Sequence, residues 1–254
     1  MPELLRQLLI VCPLVFLAGF IDSIAGGGGL ITLPAYLLVN IPVHFAAGTN
    51  KVVNGTGALI SSIKYFRTGN IYLRVVLWSA MGALAGAAIG AKVALFIPEG
   101  LLEPLILIAL PLIAVFLLLK KDFGQTKAQK EMPPVREHII AFAIGLGMGL
   151  YDGIVGPGTG TFLIMLLTMF LNMDLITAAG SARMTNLASN IAAATVFIIE
   201  GKVLWAIAVP AAVCSALGNY CGTQYAVRGG SKKVRGMIFV VLGMLFVKVI
   251  LDLF

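Results

Sequence analysis

The chain has 254 residues, of which 59% are hydrophobic and only 11% charged, with a mean hydropathy of +1.01. A soluble domain carries about 25% charged residues, so a soluble globular fold is excluded, and the short polar gaps leave no room for a separate soluble domain. The net charge of +7 is not read as a nucleic-acid footprint, because Lys and Arg of a multi-pass membrane protein gather in cytoplasmic loops.

Crossing ~30 Å of hydrocarbon takes about 20 helical residues. In chain order, the apolar runs predict helical segments at 3–25, 30–40, 43–67, 71–97, 101–120, 136–155, 159–172, 174–199, 203–227 and 234–253. The fold class is therefore an all-α integral membrane protein with about 8 to 10 membrane segments. Membrane strands are excluded, because the ten-residue alternation of a barrel is missing. The first segment, "MPELLRQLLIVCPLVFLAGF", has one Arg and no small-residue cleavage site, and reads as a retained helix rather than a secretory signal. Segments 30–40 and 159–172 are too short to cross comfortably. Each follows a Gly-rich break, "GGGG" at 26–29 and "GPGTG" at 156–160. Residues 3–40 and 136–172 thus form two Gly-broken hairpins, either re-entrant or fully spanning.

The longest polar gap is "KKDFGQTKAQKEMPPVRE" at 120–137. It divides the chain into a first membrane repeat, 1–120, a linker, 121–135, and a second membrane repeat, 136–254, which together make one membrane domain. At an offset of 130, Gly19, Asp22, Gly26, Gly28 and Leu33 meet Gly149, Asp152, Gly156, Gly158 and Leu163. At an offset of 132, Asn40, Lys51, Asn54, Gly69, Gly86 and Gly90 meet Asn172, Arg183, Asn186, Gly201, Gly218 and Gly222. Ordered matches of Asp, Asn, Gly and a basic residue point to a duplication.

Loop charge orients the two copies. Lys120, Lys121, Lys127, Lys130 and Arg136 place the linker in the cytoplasm, as do Lys64, Arg67 and Arg74 for the turn near 64–74 and "RGGSKKVR" for 228–235. The acidic "PEGLLE" at 98–103 faces out. With each hairpin returning to its own side, both termini lie outside and the repeats are inverted. Inverted repeats with interrupted helices are a recurrent transporter plan, with the breaks meeting near the midplane.

Chemistry-bearing residues cluster at equivalent places. Lys51 and Arg183 lie inside apolar segments, where a cation is costly unless paired or functional. Asn54 and Asn186 sit three residues on, each on the same helix face as its cation. Thr49 and Ser181 sit two residues before. Cation, amide and hydroxyl are an inventory for an oxyanion, and the amides of Gly27, Gly28 and Gly29, and of Gly158, Thr159 and Gly160, extend it. The alternative is that Lys51 and Arg183 snorkel, or pair with Asp22 and Asp152 as structural glue. Asp22 and Asp152 themselves could carry a proton, bind a cation or serve as counter-ions. No metal, cofactor or redox centre is expected. His44 and His138 lack ligand partners at useful spacing, and Cys12, Cys214 and Cys221 form no CxxC. Lys92, opposite Gln224, is a further polar membrane residue, and Trp205 suits an interfacial belt.

The motifs "AGFIDSIAGGGGLITLP", "TNK", "GLYDGIVGPGTGTF", "TNLASN" and "GKVLWA" resemble those of the TauE/SafE family of bacterial permeases, in particular its YfcA-like branch, over almost the whole chain. The resemblance implies a multi-pass protein of the bacterial inner membrane that moves small sulfur-containing anions such as sulfite or sulfonates. The expected function is a secondary transporter working by alternating access, with Asp22 or Asp152 as the proton-coupling candidates. Its expected partners are the anion and membrane lipids, with homo-oligomerisation left open and nucleic acid excluded. An anion channel is the rival reading. An enzyme is disfavoured by the lack of HExxH, CxxC or a nucleophile elbow, and ATP drive by the lack of GxxxxGK[ST].

Overall fold

The computed structural model describes residues 2–102, 104 and 132–253. Most of the expected segment 101–120, and residues 121–131 of the linker, lie outside the described residues. The described residues form helices joined by turns, with no strand among them: α1 Pro2–Ala25, α2 Gly29–Leu38, α3 Val43–Arg67, α4 Leu73–Phe96, α5 Pro134–Ile154, α6 Thr159–Phe170, α7 Leu175–Ile199 and α8 Trp205–Leu253. These bounds follow the expected segments to within a few residues. The last two expected segments run together as α8, but Gly230 (φ 58°, ψ −158°) breaks the helix between them.

Among the described residues, three helices are both long and apolar enough to cross a bilayer: Glu3–Ala25, Leu73–Phe96 and the Trp205–Ile238 part of α8. α3 and α7 have 25 residues each, about 38 Å at 1.5 Å per residue, but their interiors are polar. α2 and α6, of 10 and 12 residues, reach only about 15–18 Å.

Apolar side chains fill the interior and also cover the outside. Leu9, Leu77, Met81, Ile89, Ile139, Val209, Val213 and Leu217 are exposed, a surface suited to lipid. The helix contacts use small residues instead. α1 lies along α8 and α5 along α4. On α8, a Cβ on Gly218 would sit 2.1 Å from the Phe16 carbonyl oxygen, and one on Gly222 would sit 2.2 Å from that of Phe20. On α4, a Cβ on Gly86 or Gly90 would sit 2.2 or 2.3 Å from the carbonyl oxygens of Leu146 or Leu150. Only glycine lets these backbones approach so closely, and without a hydrophobic drive between helices in lipid, such packing holds them together.

Helix ends recur at the same offset. Asn40 (φ 58°) follows α2 and Asn172 (φ 52°) follows α6, both in the left-handed region that Asn tolerates better than most residues. Gly69 and Gly201 close α3 and α7 in the same way, with Asn70 N donating to Tyr65 O at 3.1 Å and Lys202 N to Phe197 O at 2.8 Å. α3 and α7 pack on each other, with α3 also against α8 and α7 against α4. This central pair of polar helices carries the site.

Candidate anion site at the helix breaks

α1 stops at Ala25 because Gly26 takes φ +80°, and α5 gives way to a turn in which Gly156 takes φ +88°. The two breaks touch. A Cβ on Gly26 would lie 2.1 Å from the carbonyl carbon of Gly160, so glycine is required by space as well as by conformation. Thr161 N donates to Gly26 O at 3.1 Å, and the Thr161 hydroxyl donates to Ala25 O at 2.8 Å. The short helices α2 and α6 thus begin side by side.

Asp22, Lys51, Asp152 and Arg183 gather at these breaks, and they pair crosswise. Arg183 of α7 donates from Nη1 to Asp22 Oδ2 of α1 at 2.5 Å. Lys51 of α3 lies with Nζ 2.8 Å from Asp152 Oδ1 of α5, and also donates to the Asp152 carbonyl oxygen. Each cation therefore meets the carboxylate of the other half of the chain. All four are buried, with exposures of 1% for Arg183, 4% for Lys51, 7% for Asp22 and 3% for Asp152. The net charge of the quartet is zero, as a low-dielectric setting requires.

Each carboxylate also lies near the start of a short helix. Gly28 N donates to Asp22 Oδ1 at 2.9 Å. The Thr159 hydroxyl lies 3.0 Å from Asp152 Oδ1, and the Ser189 hydroxyl donates to Asp152 Oδ2 at 2.8 Å. Exposed N–H groups and the positive end of a helix favour an anion in such a place. In this conformation, the glycine-rich turn of the first half holds an anion belonging to the protein itself.

The remaining candidates separate. Asn186 is buried and its Oδ1 accepts from Asn190 Nδ2, whereas Asn54 is half-buried on α3. Gly27, Gly29, Gly158 and Gly160 are buried in the two breaks. Thr49 and Ser181 face away from the ion pairs. The Thr49 hydroxyl accepts from Leu204 N at 3.0 Å, just before α8, and the Ser181 hydroxyl accepts from Tyr72 N at 3.0 Å, just before α4. Both serve as caps donated by one half to a helix start in the other. Lys92 is exposed. His44 Nε2 lies 3.1 Å from the carbonyl oxygens of Ala94 and Ile97, and its Nδ1 lies 3.3 Å from Glu99 Oε1. Among the described residues, no group of His, Cys, Asp and Glu is placed to hold a metal ion.

Sequence reasoning missed Ser189 and Asn190. Their signal was spacing, because Arg183, Asn186 and Asn190 recur at three, four and seven residues along α7 and share one helix face. It also missed Ser215, Asn219 and Thr223, a buried polar ladder on α8 in which Asn219 Nδ2 donates to Ser215 O at 2.9 Å and Thr223 Oγ1 to Asn219 O at 2.8 Å.

Comparison with known proteins gives the family of the chain. The chain is 32% identical to the "Probable membrane transporter protein ORF9" of a Sinorhizobium species over 93% of its length and 90% of that protein's. It is 30% identical to the "Probable membrane transporter protein YfcA" of Escherichia coli K12, covering 98% and 95%. It is 28% identical to the "Probable membrane transporter protein YdhB" of Bacillus subtilis, covering 86% and 88%. No solved structure gives a significant match. These relatives are named as transporters, not enzymes, and the profile of the sulfite exporter TauE/SafE family matches residues 11–249. A multi-pass membrane transporter, this chain belongs to the TauE/SafE family.

Proposed function

We propose that the protein is a secondary transporter that moves a small sulfur-containing oxyanion, such as sulfite or an organosulfonate, across the bacterial inner membrane by alternating access. The single observation that carries this reading is the crossed quartet of Asp22–Arg183 and Lys51–Asp152. The two halves are read as inverted repeats, 1–120 and 136–254, that rock about these contacts. Supporting this are the recurring helix ends, the reciprocal caps of Thr49 and Ser181, and the matched packing of α1 on α8 and α5 on α4. Loop charges favour a cytoplasmic linker and periplasmic termini.

The quartet suggests how an anion and a proton are coupled. With two cations and two carboxylates, an added anion leaves the buried site negative, which is expensive. If one carboxylate takes a proton, its cation is freed and the anion occupies the vacated charge. A monovalent anion and a proton then enter together and the site stays neutral. The residues in reach are Asp22, Asp152, Lys51 and Arg183, with Asn186, Asn54 and the turn amides around Gly27, Gly28, Gly29, Gly158, Thr159 and Gly160 as further contacts. Membrane lipid is the other partner.

The test is radiolabelled sulfite uptake into proteoliposomes. Wild type should show saturation and counterflow, which distinguishes a transporter from an anion channel. Lys51→Ala and Arg183→Ala, compared at equal amounts of folded protein, should each abolish uptake. Normal uptake by both variants contradicts the reading.

A further inference from the structure

The two ion pairs occupy equivalent places but are not equivalent. Lys51 reaches both the carboxylate and the backbone carbonyl of Asp152, and Asp152 is held in addition by the hydroxyls of Thr159 and Ser189. The residue equivalent to Ser189 in the first half is Gly57, and the equivalent of Thr159 is Gly29. Asp22 accordingly has fewer donors: Arg183 Nη1 and Gly28 N.

Arg183 also holds donors in reserve. Its Nη2 is buried and has no hydrogen-bond partner, although a buried guanidinium nitrogen left unpaired is costly. That nitrogen points at the first turn of α6, where a Cβ on Gly160 would come within 2.6 Å of it. The turn contains Thr159, Gly160 and Thr161, whereas α2 opens with Gly29, Leu30 and Ile31. The absent side chain of Gly160 lets Arg183 Nη2 lie against the start of α6, and the corresponding turn of α2 carries aliphatic side chains. A helix N-terminus and an unpartnered guanidinium nitrogen both favour an anion.

From this asymmetry we infer that the protein binds one oxyanion at a time, on Arg183 Nη2 at the start of α6, while Lys51–Asp152 is the fixed ion pair that ties α3 to α5. The inference rests on the anion-transport reading above and narrows it to one cation. The ligand class is a small oxyanion with at least two oxygens, one for Nη2 and another for the α6 turn. Asp22 is the carboxylate that gives way, since it has the fewer donors. Of the two cations, Arg183 alone brings two nitrogens to the site, Nη2 to meet the anion and Nη1 to join it once Asp22 gives way, because a guanidinium carries its donors in a planar fork and an ammonium is a point charge.

The test is equilibrium binding of sulfite to the full chain in lipid nanodiscs, comparing wild type with Arg183→Lys and Lys51→Arg. Both variants keep the charge, and thermal unfolding without sulfite reports whether each is folded. Wild type should bind one sulfite per chain. Arg183→Lys should weaken binding by about tenfold or more, because it removes the forked second donor. Lys51→Arg should weaken binding clearly less than Arg183→Lys does. Two sulfites per chain, or equal losses in the two variants, overturns the assignment to Arg183 while leaving anion transport standing. If wild type binds neither sulfite nor a small sulfonate, the transport reading falls and this inference falls with it. The wild-type stoichiometry decides between one site and two even if Arg183→Lys does not fold.

Discussion

The first and second halves of the chain solve the same problem with different parts. Each half breaks a membrane helix at a glycine, Gly26 or Gly156, and sets an aspartate one turn earlier. Each then offers a cation to the aspartate of the other half. The backbone is closely matched, down to left-handed Asn40 and Asn172 and the reciprocal caps from Thr49 and Ser181. The side chains around the pairs are not. Asp152 is held by a lysine and two hydroxyls, and Asp22 by one arginine nitrogen and one amide. The lesson is that symmetric scaffolding can carry an asymmetric site, with one ion pair fixed and its counterpart poised to yield.

The largest effects should come from stranding a charge. Removing one partner of a buried ion pair costs ~3–5 kcal/mol because it leaves the other charge uncompensated. Arg183→Ala should sit at the upper end, since Asp22 keeps only the Gly28 amide. Lys51→Ala should cost less, because Thr159 and Ser189 still hold Asp152. Adding Asp22→Asn to Arg183→Ala should recover most of the loss. Denaturant unfolding in detergent checks the order, and a larger loss for Lys51→Ala would reverse the comparison.

Smaller effects should fall equally on the two halves. Thr49→Val and Ser181→Ala each remove a hydroxyl that accepts from the backbone at the start of another helix, and each should cost about 1 kcal/mol. Both should leave sulfite affinity unchanged, because these hydroxyls face helix starts and not the ion pairs. A selective loss of binding in either variant would put that hydroxyl back in the site.

Much of this was legible in the sequence. The apolar runs gave the helices, because a lipid-facing stretch must satisfy its own backbone within a helix. Gly26 and Gly156 marked the breaks, and the repeat marked Asp22, Asp152, Lys51 and Arg183. The crosswise pairing was not legible. Aligning the two halves matches equivalent residues, whereas the ion pairs join non-equivalent ones. Asp22 could be matched with Asp152 in sequence, yet it meets Arg183 in space. The capping contacts of Thr49 and Ser181 were not legible either, because they depend on which helix start packs against α3 or α7. The free Arg183 Nη2 was invisible without coordinates, because it depends on where Gly160 sits relative to α7.

The central claim is that an anion enters the crossed quartet together with a proton. It is tested most directly by loading proteoliposomes with a pH-sensitive dye and imposing an inward gradient of a small monovalent sulfonate. The interior should acidify as the sulfonate enters, and uptake should be independent of an imposed membrane potential. Uptake that drives no proton movement and follows the membrane potential would contradict the account.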